Sequence, residues 1–224
     1  MTKRIWELDA LRGICILGMV ALHLLFDLNV ALPVPLLLLQ EWGGYAFLLI
    51  SGVCVTLGHH PIRRGLIVLG CGMLCTLVTW GMYALDLTSN QMIIWFGVLH
   101  CLGVCMLLWP VFQSIPSMFL WLLAAVFTGI GIYFETLFVS FPWLVPLGIR
   151  FAEFASADYF PLFPNFGVFL LGAVAGRTLY ANKQSLFPDV EPLPILRFCG
   201  RHSLAIYLLH QPILYGILWV ISQF

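Results

Sequence analysis

Charged residues are scarce in this chain, and their scarcity excludes a water-soluble fold. Only 9% of the 224 residues are charged, whereas 62% are hydrophobic. Soluble domains carry about a quarter charged residues. Ten acidic and ten basic side chains cannot cover a folded chain of this length in water. A lipid bilayer removes the need for polar cover, so the composition predicts an integral membrane protein.

The sequence also shows no charge imbalance, no paired outer cysteines and no pattern typical of a cleavable leader. Its net charge is 0, which argues against a nucleic-acid partner. The seven cysteines almost all lie in apolar runs, so no disulfide framework is expected. Cys71 and Cys75, like Cys101 and Cys105, have the spacing of two ligands on one helix face. No carboxylate–histidine pattern accompanies them, and we predict no metal site. The first apolar run has no small-residue cleavage site, so we expect it to be retained.

Seven apolar runs are long enough to cross a bilayer as helices, which takes about 20 residues. The predicted spans cover approximately residues 11–31, 37–57, 64–85, 92–109, 116–134, 162–180 and 202–222. No internal repeat or soluble domain is visible between them. The sequence therefore predicts an all-α, polytopic transmembrane helix bundle of about seven spans, forming one domain over residues 1–224.

The basic residues predict a cytosolic N-terminus and an outer C-terminus. This orientation places nine of the ten lysines and arginines inside, namely Lys3, Arg4, Arg12, Arg63, Arg64, Arg177, Lys183, Arg197 and Arg201. Only Arg150 lies outside. Residues 135–161 are apolar but interrupted by Pro142 and Pro146, and an eighth span there would destroy the bias. We therefore predict an interfacial or re-entrant segment on the outer face.

Helix one carries a polar stripe on an otherwise lipid-like surface. Asp9, Arg12, His23 and Asp27 fall within about 60° of one another on a helical wheel. Acids facing lipid are prohibitively costly, so this stripe is expected to face the bundle. Asp27, one turn beyond His23, could accept a ring N–H and leave the other nitrogen as a general base. The alternative is a structural Asp–His pair that closes the outer end of the bundle.

The distance between Arg12 and His23 suggests a second role for helix one. The two residues are separated by roughly 16 Å along the helix, close to the reach of an extended phosphopantetheine arm. A phosphate bound by Arg12 at the inner surface would place a thioester near His23. The alternative is that Arg12 only anchors the helix among the headgroups by snorkelling.

Histidine recurs near the middle of three predicted spans, at His23, His100 and His210. Their similar depth in the membrane favours a shared polar cavity. The alternative is that each imidazole forms its own hydrogen bond with a neighbouring carbonyl. Ser203 and Tyr207 lie within about 60° of His210 on the last helix. Tyr207 and His210 could polarise a thioester oxygen.

Three arginines lie at helix ends next to the polar face: Arg12, Arg177 and Arg201. They could bind the phosphates of a nucleotide. The alternative is that inner arginines only determine topology and contact lipid headgroups, and this is the favoured interpretation for Arg63, Arg64 and Arg197. Gly172 and Gly176 form a GxxxG pattern that allows close helix approach. Packing within the monomer is the first interpretation of this pattern, and a homodimer is the alternative.

Four segments resemble the heparan-alpha-glucosaminide N-acetyltransferase catalytic domain family, in particular its small bacterial branch. They are residues 4–13 (RIWELDALRG), 47–52 (FLLISG), 166–177 (FGVFLLGAVAGR) and 200–212 (GRHSLAIYLLHQP). The resemblance implies acyl transfer, with acetyl-CoA as cytosolic co-substrate and a glycan, amino sugar or other small molecule as outer acceptor. It also implies a multi-pass protein of the bacterial inner membrane.

The resemblance assigns expected roles to the polar residues. The Arg12–His23 spacing is also similar to the Arg–His pattern of O-acyltransferases that acetylate surface polysaccharides, which supports His23 as catalytic. The expected catalytic set is His23, Asp27, Tyr207 and His210, and the expected co-substrate set is Asp9, Arg12, His100, Arg177, Arg201 and Ser203. The animal enzyme's proposed catalytic histidine lies in the outer loop after helix one. Residues 28–40 contain no histidine, so His23 would take over that role.

Two other function classes stay open at this point. A small proton-coupled transporter or flippase would use the histidines as a relay, although an odd helix count and the lack of inverted repeats argue against it. A non-catalytic membrane scaffold would leave the polar stripe of helix one without a purpose.

Overall fold

The computed structural model describes residues 5–190 and 193–223, which form an all-α fold. The α-helices are α1 (Trp6–Asp27), α2 (Val34–Leu57), α3 (Pro61–Ala84), α4 (Val98–Phe112), α5 (Ser117–Phe134), α6 (Leu162–Leu179), α7 (Pro194–Arg201) and α8 (Ser203–Ile221). Among the described residues, β-structure is limited to two isolated bridges. The predicted fold class is therefore confirmed. Lys3 and Arg4 of the predicted inner set lie outside the described residues.

Six helices are long and apolar enough to cross a membrane: α1, α2, α3, α5, α6 and α8. The seventh apolar helix, α4, has 15 residues and a length of about 22 Å, which is shorter than a hydrocarbon core of about 30 Å. The prediction of a multi-pass membrane protein is confirmed. The orientation of its two ends stays a prediction.

The predicted start of the fourth helix at Met92 is wrong by six residues, since α4 begins at Val98. The preceding residues are extended and pair with a later loop, where the amide of Phe160 donates to the carbonyl of Phe96 at 2.8 Å. The side chain of Asp158 then accepts the backbone N–H of Val98 at 3.0 Å. The Asp158 carboxylate accepts from a backbone N–H that has no partner within the helix, and its negative charge is favourable at the positive N-terminal end of α4. Apolar residues before position 98 therefore form loop rather than helix.

Residues 135–161 contain no membrane-spanning helix, as predicted. They include one short 3₁₀-helix, Pro142–Leu147, whose Trp143 side chain is 81% exposed. The hydroxyl of Tyr159 donates to the carbonyl of Val145 at 2.9 Å and holds this turn in place. The exposed tryptophan suits an interfacial segment, and that location stays a prediction.

The chain divides into two units, residues 1–50 with 180–224 and residues 51–179. We call them unit one and unit two; the prediction of a single domain stays a prediction. In unit one, α1 packs closely against α7. A Cβ on Gly13 would collide with the carbonyl of Leu196, and one on Gly200 would collide with the carbonyl of Asp9. Because the residue numbers rise on one helix as they fall on the other, α1 and α7 are antiparallel.

The sequence did not predict α7 as a separate helix. We expected a loop before a last span beginning near residue 202, whereas Pro194 opens a short helix that ends at Arg201. Proline at a first helical position was the available signal. The sequence could not show that its buried face, Cys199 and Gly200, lies against α1.

Unit two is also packed through glycines. Gly52 at the end of α2 meets the carbonyl of Phe169 in α6, and Gly176 meets the backbone of Val53. Gly167 likewise faces the carbonyl of Ala124 in α5. The GxxxG pattern of α6 thus serves packing within the chain, which is its first interpretation. A homodimer stays a prediction.

Candidate active site

Two of the predicted histidines form a direct pair in unit one. Nδ1 of His23 on α1 lies 2.6 Å from Nε2 of His210 on α8. The ring planes differ by 21° and the ring centroids are 4.8 Å apart. Nearly coplanar rings joined at their nitrogens show that the imidazoles meet edge to edge through one hydrogen bond. His210 is buried and His23 is half-buried.

The backbone determines which nitrogen of each ring carries a proton. Nδ1 of His210 is 2.6 Å from the carbonyl oxygen of Tyr207. A carbonyl only accepts, so this nitrogen must be an N–H. Neutral His210 then has an unprotonated Nε2, which accepts the proton on Nδ1 of His23. In the neutral pair, Nε2 of His23 keeps a free lone pair that can take a proton or attack carbon.

Asp27 does not orient His23, which was one of its two expected roles. Its partner is Gln211, whose Nε2 lies 3.4 Å from Oδ2 of Asp27. His210, the neighbour of Gln211, instead fixes the tautomer of His23. Oε1 of Gln211 is buried and has no hydrogen-bond partner. The predicted outer end of this site therefore keeps an unused hydrogen-bond acceptor beside a carboxylate.

Arg12 carries a charge that no described carboxylate neutralises through an ion pair. Its Nε is buried and lacks a hydrogen-bond partner. A buried guanidinium nitrogen without a partner is costly. Simple snorkelling would place this nitrogen in water, whereas a bound anion would satisfy it. Arg12 lies on the same helix as His23, about 16 Å away.

The other predicted residues of unit one connect its helices. Nε of Arg201 lies 3.2 Å from Oδ2 of the buried Asp9, and this ion pair joins α7 to α1. Ser203 is half-buried and begins α8. Tyr207 supplies the carbonyl that orients His210, and the two ring centroids are 5.8 Å apart. These contacts are structural. The co-substrate roles of Asp9, Arg201 and Ser203 and the catalytic role of Tyr207 stay predictions.

His100 belongs to unit two, where both of its ring nitrogens have protein partners. Nδ1 accepts the backbone N–H of Gly97 at 3.2 Å, and Nε2 lies 3.2 Å from the hydroxyl of Thr76. That hydroxyl donates to the carbonyl of Ile94 at 2.6 Å, so Nε2 of His100 is the donor to Thr76. This arrangement caps the start of α4 and favours separate satisfaction of His100 over participation in a shared cavity.

Arg177 also belongs to unit two, and it closes the turn between α4 and α5. Its guanidinium donates to the carbonyls of Ile115, at 2.6 Å, and of Gln113. The guanidinium carbon lies 5.0 Å from the centroid of the Trp109 ring. Arg177 also lines a cavity of about 230 Å³ within this unit. Its predicted role in binding the co-substrate stays a prediction.

Sequence reasoning gave no site role to three residues with unsatisfied buried atoms, namely Oδ1 of Asn165, Nε of Arg197 and Oε1 of Gln211. Gln211 stands between His210 and Pro212, and that position was the only available signal. Within residues 5–190 and 193–223, no three histidine, cysteine or acidic side chains are arranged to hold a metal ion.

The family model described as heparan-alpha-glucosaminide N-acetyltransferase, catalytic, matches residues 4–212. The match begins just before α1, ends at Pro212 in α8, and contains Arg12, His23 and His210. No curated protein and no solved structure matches this chain.

Proposed function

Because the chain belongs to the heparan-alpha-glucosaminide N-acetyltransferase catalytic domain family, we propose that it transfers acetyl groups from cytosolic acetyl-CoA to an outer acceptor. The acceptor is a hydroxyl or amine on a glycan, an amino sugar or another small molecule. One observation carries this proposal, namely the free lone pair that the His210–Tyr207 chain leaves on Nε2 of His23.

His23 acts as a general base in the proposed reaction. Its Nε2 removes a proton from the acceptor as the acceptor oxygen or nitrogen attacks the thioester carbon. The tetrahedral intermediate then expels the CoA thiolate, which takes the proton back from His23 and leaves as the free thiol. Nδ1 of His23 donates to His210 throughout, so a stronger, charge-assisted hydrogen bond stabilises the imidazolium. In a two-step reaction, Nε2 of His23 would instead attack the thioester and carry the acetyl group.

Arg12 is the proposed anchor for the donor. Its unpartnered Nε needs an anion, and acyl-CoA supplies phosphates at the far end of its pantetheine arm. The separation of about 16 Å along α1 would allow the phosphates to bind at Arg12 while the thioester lies near His23. The predicted cytosolic position of Arg12 is the side on which acyl-CoA is present.

Asp27 and Gln211 are the proposed acceptor-binding residues. Hydroxyl and amine groups donate hydrogen bonds, and the buried Oε1 of Gln211 has an acceptor position to offer. Asp27 would attract a protonated amine or accept from a hydroxyl. Asp27 lies one turn beyond His23 at the predicted outer end of α1, and Gln211 of α8 lies beside it. Donor and acceptor would therefore approach His23 from opposite sides.

The hydrogen-bond chain favours catalysis over the transporter alternative. A proton relay needs a group at each end that both accepts and releases protons. The pair ends on the carbonyl of Tyr207, which cannot pass a proton on. The histidine pair therefore exchanges protons at one group only, Nε2 of His23, which is what a general base requires.

The proposed function is tested by CoA release from acetyl-CoA, measured with purified protein and a panel of amino sugars and polyols. Wild-type protein should release CoA only with a suitable acceptor. His23→Gln should bind acetyl-CoA with unchanged affinity and lose turnover. His59→Gln, at an exposed histidine, is the matched control and should retain activity. Wild-type protein that neither binds nor turns over acetyl-CoA would refute the proposal.

A further inference from the structure

Helix α7 lies at the same height as the first turns of α1. The backbone of Leu196 lies against Gly13, and Gly200 lies against the backbone of Asp9. Each helix advances by four residues between these two contacts, so the antiparallel helices keep one register along the contact. Every residue of α7 can therefore be assigned a height on α1, which is one of the helices able to cross a membrane.

The change from charged to uncharged sequence occurs at the same height on both helices. On α1 the last basic residue is Arg12, and residues 13–26 contain no acid, lysine or arginine. On α7, which runs the other way, Arg197 is level with Arg12, and residues 193–196 are Leu-Pro-Ile-Leu. Basic side chains collect at lipid headgroups, and uncharged apolar residues lie among acyl chains. The start of α7 therefore extends past the headgroup level that Arg12 marks.

Large apolar side chains near the start of α7 are exposed. Leu193 is 63% exposed, Ile195 is 61% exposed and Phe198 is 59% exposed. The opposite face, with Cys199 and Gly200, is buried. In water these side chains would leave apolar area uncovered, whereas acyl chains would cover it.

The backbone at the start of α7 also suits an apolar environment. A helix start usually leaves four N–H groups without a partner, and each of them is costly in lipid. Pro194 has no N–H, and the amide of Leu196 donates to the carbonyl of Leu193 at 3.2 Å. This helix start therefore has fewer free donors than an ordinary one.

The loop before α7 is held at the first turn of α1. The indole of Trp6 donates to the carbonyl of Phe187 at 3.0 Å, and the carboxylate of Glu7 accepts from the amide of Leu186 at 2.7 Å. By the register of α7 on α1, Leu193 lies about 15 Å farther along α1 than Trp6 does. An extended chain covers about 20 Å in six residues, so the chain can rise from Phe187 to Leu193.

We propose that residues 193–201 are the returning limb of a re-entrant loop, which enters the leaflet in which α1 begins. The partner of its exposed tip, Leu193 and Ile195, is the acyl chains of that leaflet. Leu193 lies about 6 Å past the height of Arg12, a depth typical of amphipathic helices at the boundary of headgroups and acyl chains. The inference requires only that α1 crosses the membrane, and it does not depend on acyl transfer.

Photochemical crosslinking tests the contact with acyl chains. The benzophenone amino acid p-benzoylphenylalanine replaces Ile195 or Leu193 in the full chain, which is reconstituted in nanodiscs of phosphatidylethanolamine and phosphatidylglycerol. After irradiation, alkaline hydrolysis cleaves the lipid esters. Mass spectrometry then shows whether the protein retains a fatty acyl chain or a glycerophosphate headgroup. Both variants should retain a fatty acyl chain.

Two control positions calibrate the result. Leu17, exposed in the uncharged part of α1, should retain a fatty acyl chain. Asn182, exposed in the loop before α7, is the matched control and should retain none. An equal acyl yield at Asn182 and Ile195 would overturn the proposal, because the segment would then show no difference in depth.

The proposal is also overturned if Ile195 and Leu193 give only headgroup adducts, or none, while Leu17 gives acyl adducts. A crosslink within the chain or to a second copy, in place of lipid, would overturn it as well, since protein would then cover the tip. If the Ile195 variant fails to fold, as its melting temperature would show, the Leu193 variant decides, because Leu193 precedes the helix.

Discussion

Replacing His210 by phenylalanine removes the acceptor of the His23 Nδ1–H while keeping a flat ring in its place. The lost hydrogen bond spans 2.6 Å, and leaving a buried donor unsatisfied costs about 1–3 kcal/mol. In the proposed transition state His23 is an imidazolium, and hydrogen bonds from a charged donor are roughly twice as strong. The extra loss of about 2–3 kcal/mol in the transition state corresponds to a fall in kcat of roughly 30- to 150-fold.

Steady-state kinetics of CoA release would show this loss in kcat with little change in KM for acetyl-CoA. His210 donates and accepts only within the protein, so it should not contribute to substrate binding. His210→Gln retains an acceptor oxygen at this position and should recover part of the rate. If His210→Phe turns over within twofold of wild type, the tautomer argument for His23 is wrong.

Three further outcomes follow from the structure. Arg12→Gln should raise KM for acetyl-CoA about tenfold or more while kcat changes little, because it removes a charged hydrogen-bond donor worth about 1.5–3 kcal/mol. An unchanged KM would contradict the proposal that Arg12 binds the phosphates of acetyl-CoA. Gly13→Ala should destabilise the protein by about 1–3 kcal/mol through overpacking, whereas Gly70→Ala, with open space around it, should be neutral or stabilising in thermal melts. Burial raises the pKa of Tyr159 to about 12 from its usual 10.0, so stability present below pH 10 should fall as the pH approaches 12. Tyr159→Phe should lose this alkaline slope, and an identical slope in both proteins would exclude the titration of this phenol as its cause.

The membrane helices were predictable because the bilayer sets their length and hydrophobicity without reference to tertiary contacts. Six of the predicted spans agree with a helix at both ends to within about five residues. The fourth helix did not, because the residues before Val98 pair with the loop near Phe160. Hydropathy is the same for an apolar residue in a helix and in a buried extended segment, so the sequence could not separate them.

The polar residues of the candidate site were predictable in kind but not in their pairing. The cost of placing His23 and His210 in a bilayer identified both of them, whatever they contact. The rotation and height of α8 against α1 decide which side chain contacts His23. A shift of α8 by one residue would place Gln211 there instead of His210. Sequence reasoning gave His100 the same weight, although the amide of Gly97 and the hydroxyl of Thr76 satisfy it locally.

The contact between α1 and α7 constrains the direction in which Nε2 of His23 points. Gly13 and Gly200 leave no space for a Cβ, so this contact allows α1 little rotation about its axis. A helix turns by about 100° per residue, so fixing Gly13 also fixes the directions of Arg12 and His23. A larger side chain at position 13 should therefore lower kcat by more than the loss of folded protein alone would explain. The position lies roughly 15 Å from His23 along the helix. Gly13→Ala protein that remains folded but keeps full activity would show that α8 alone positions the histidine pair.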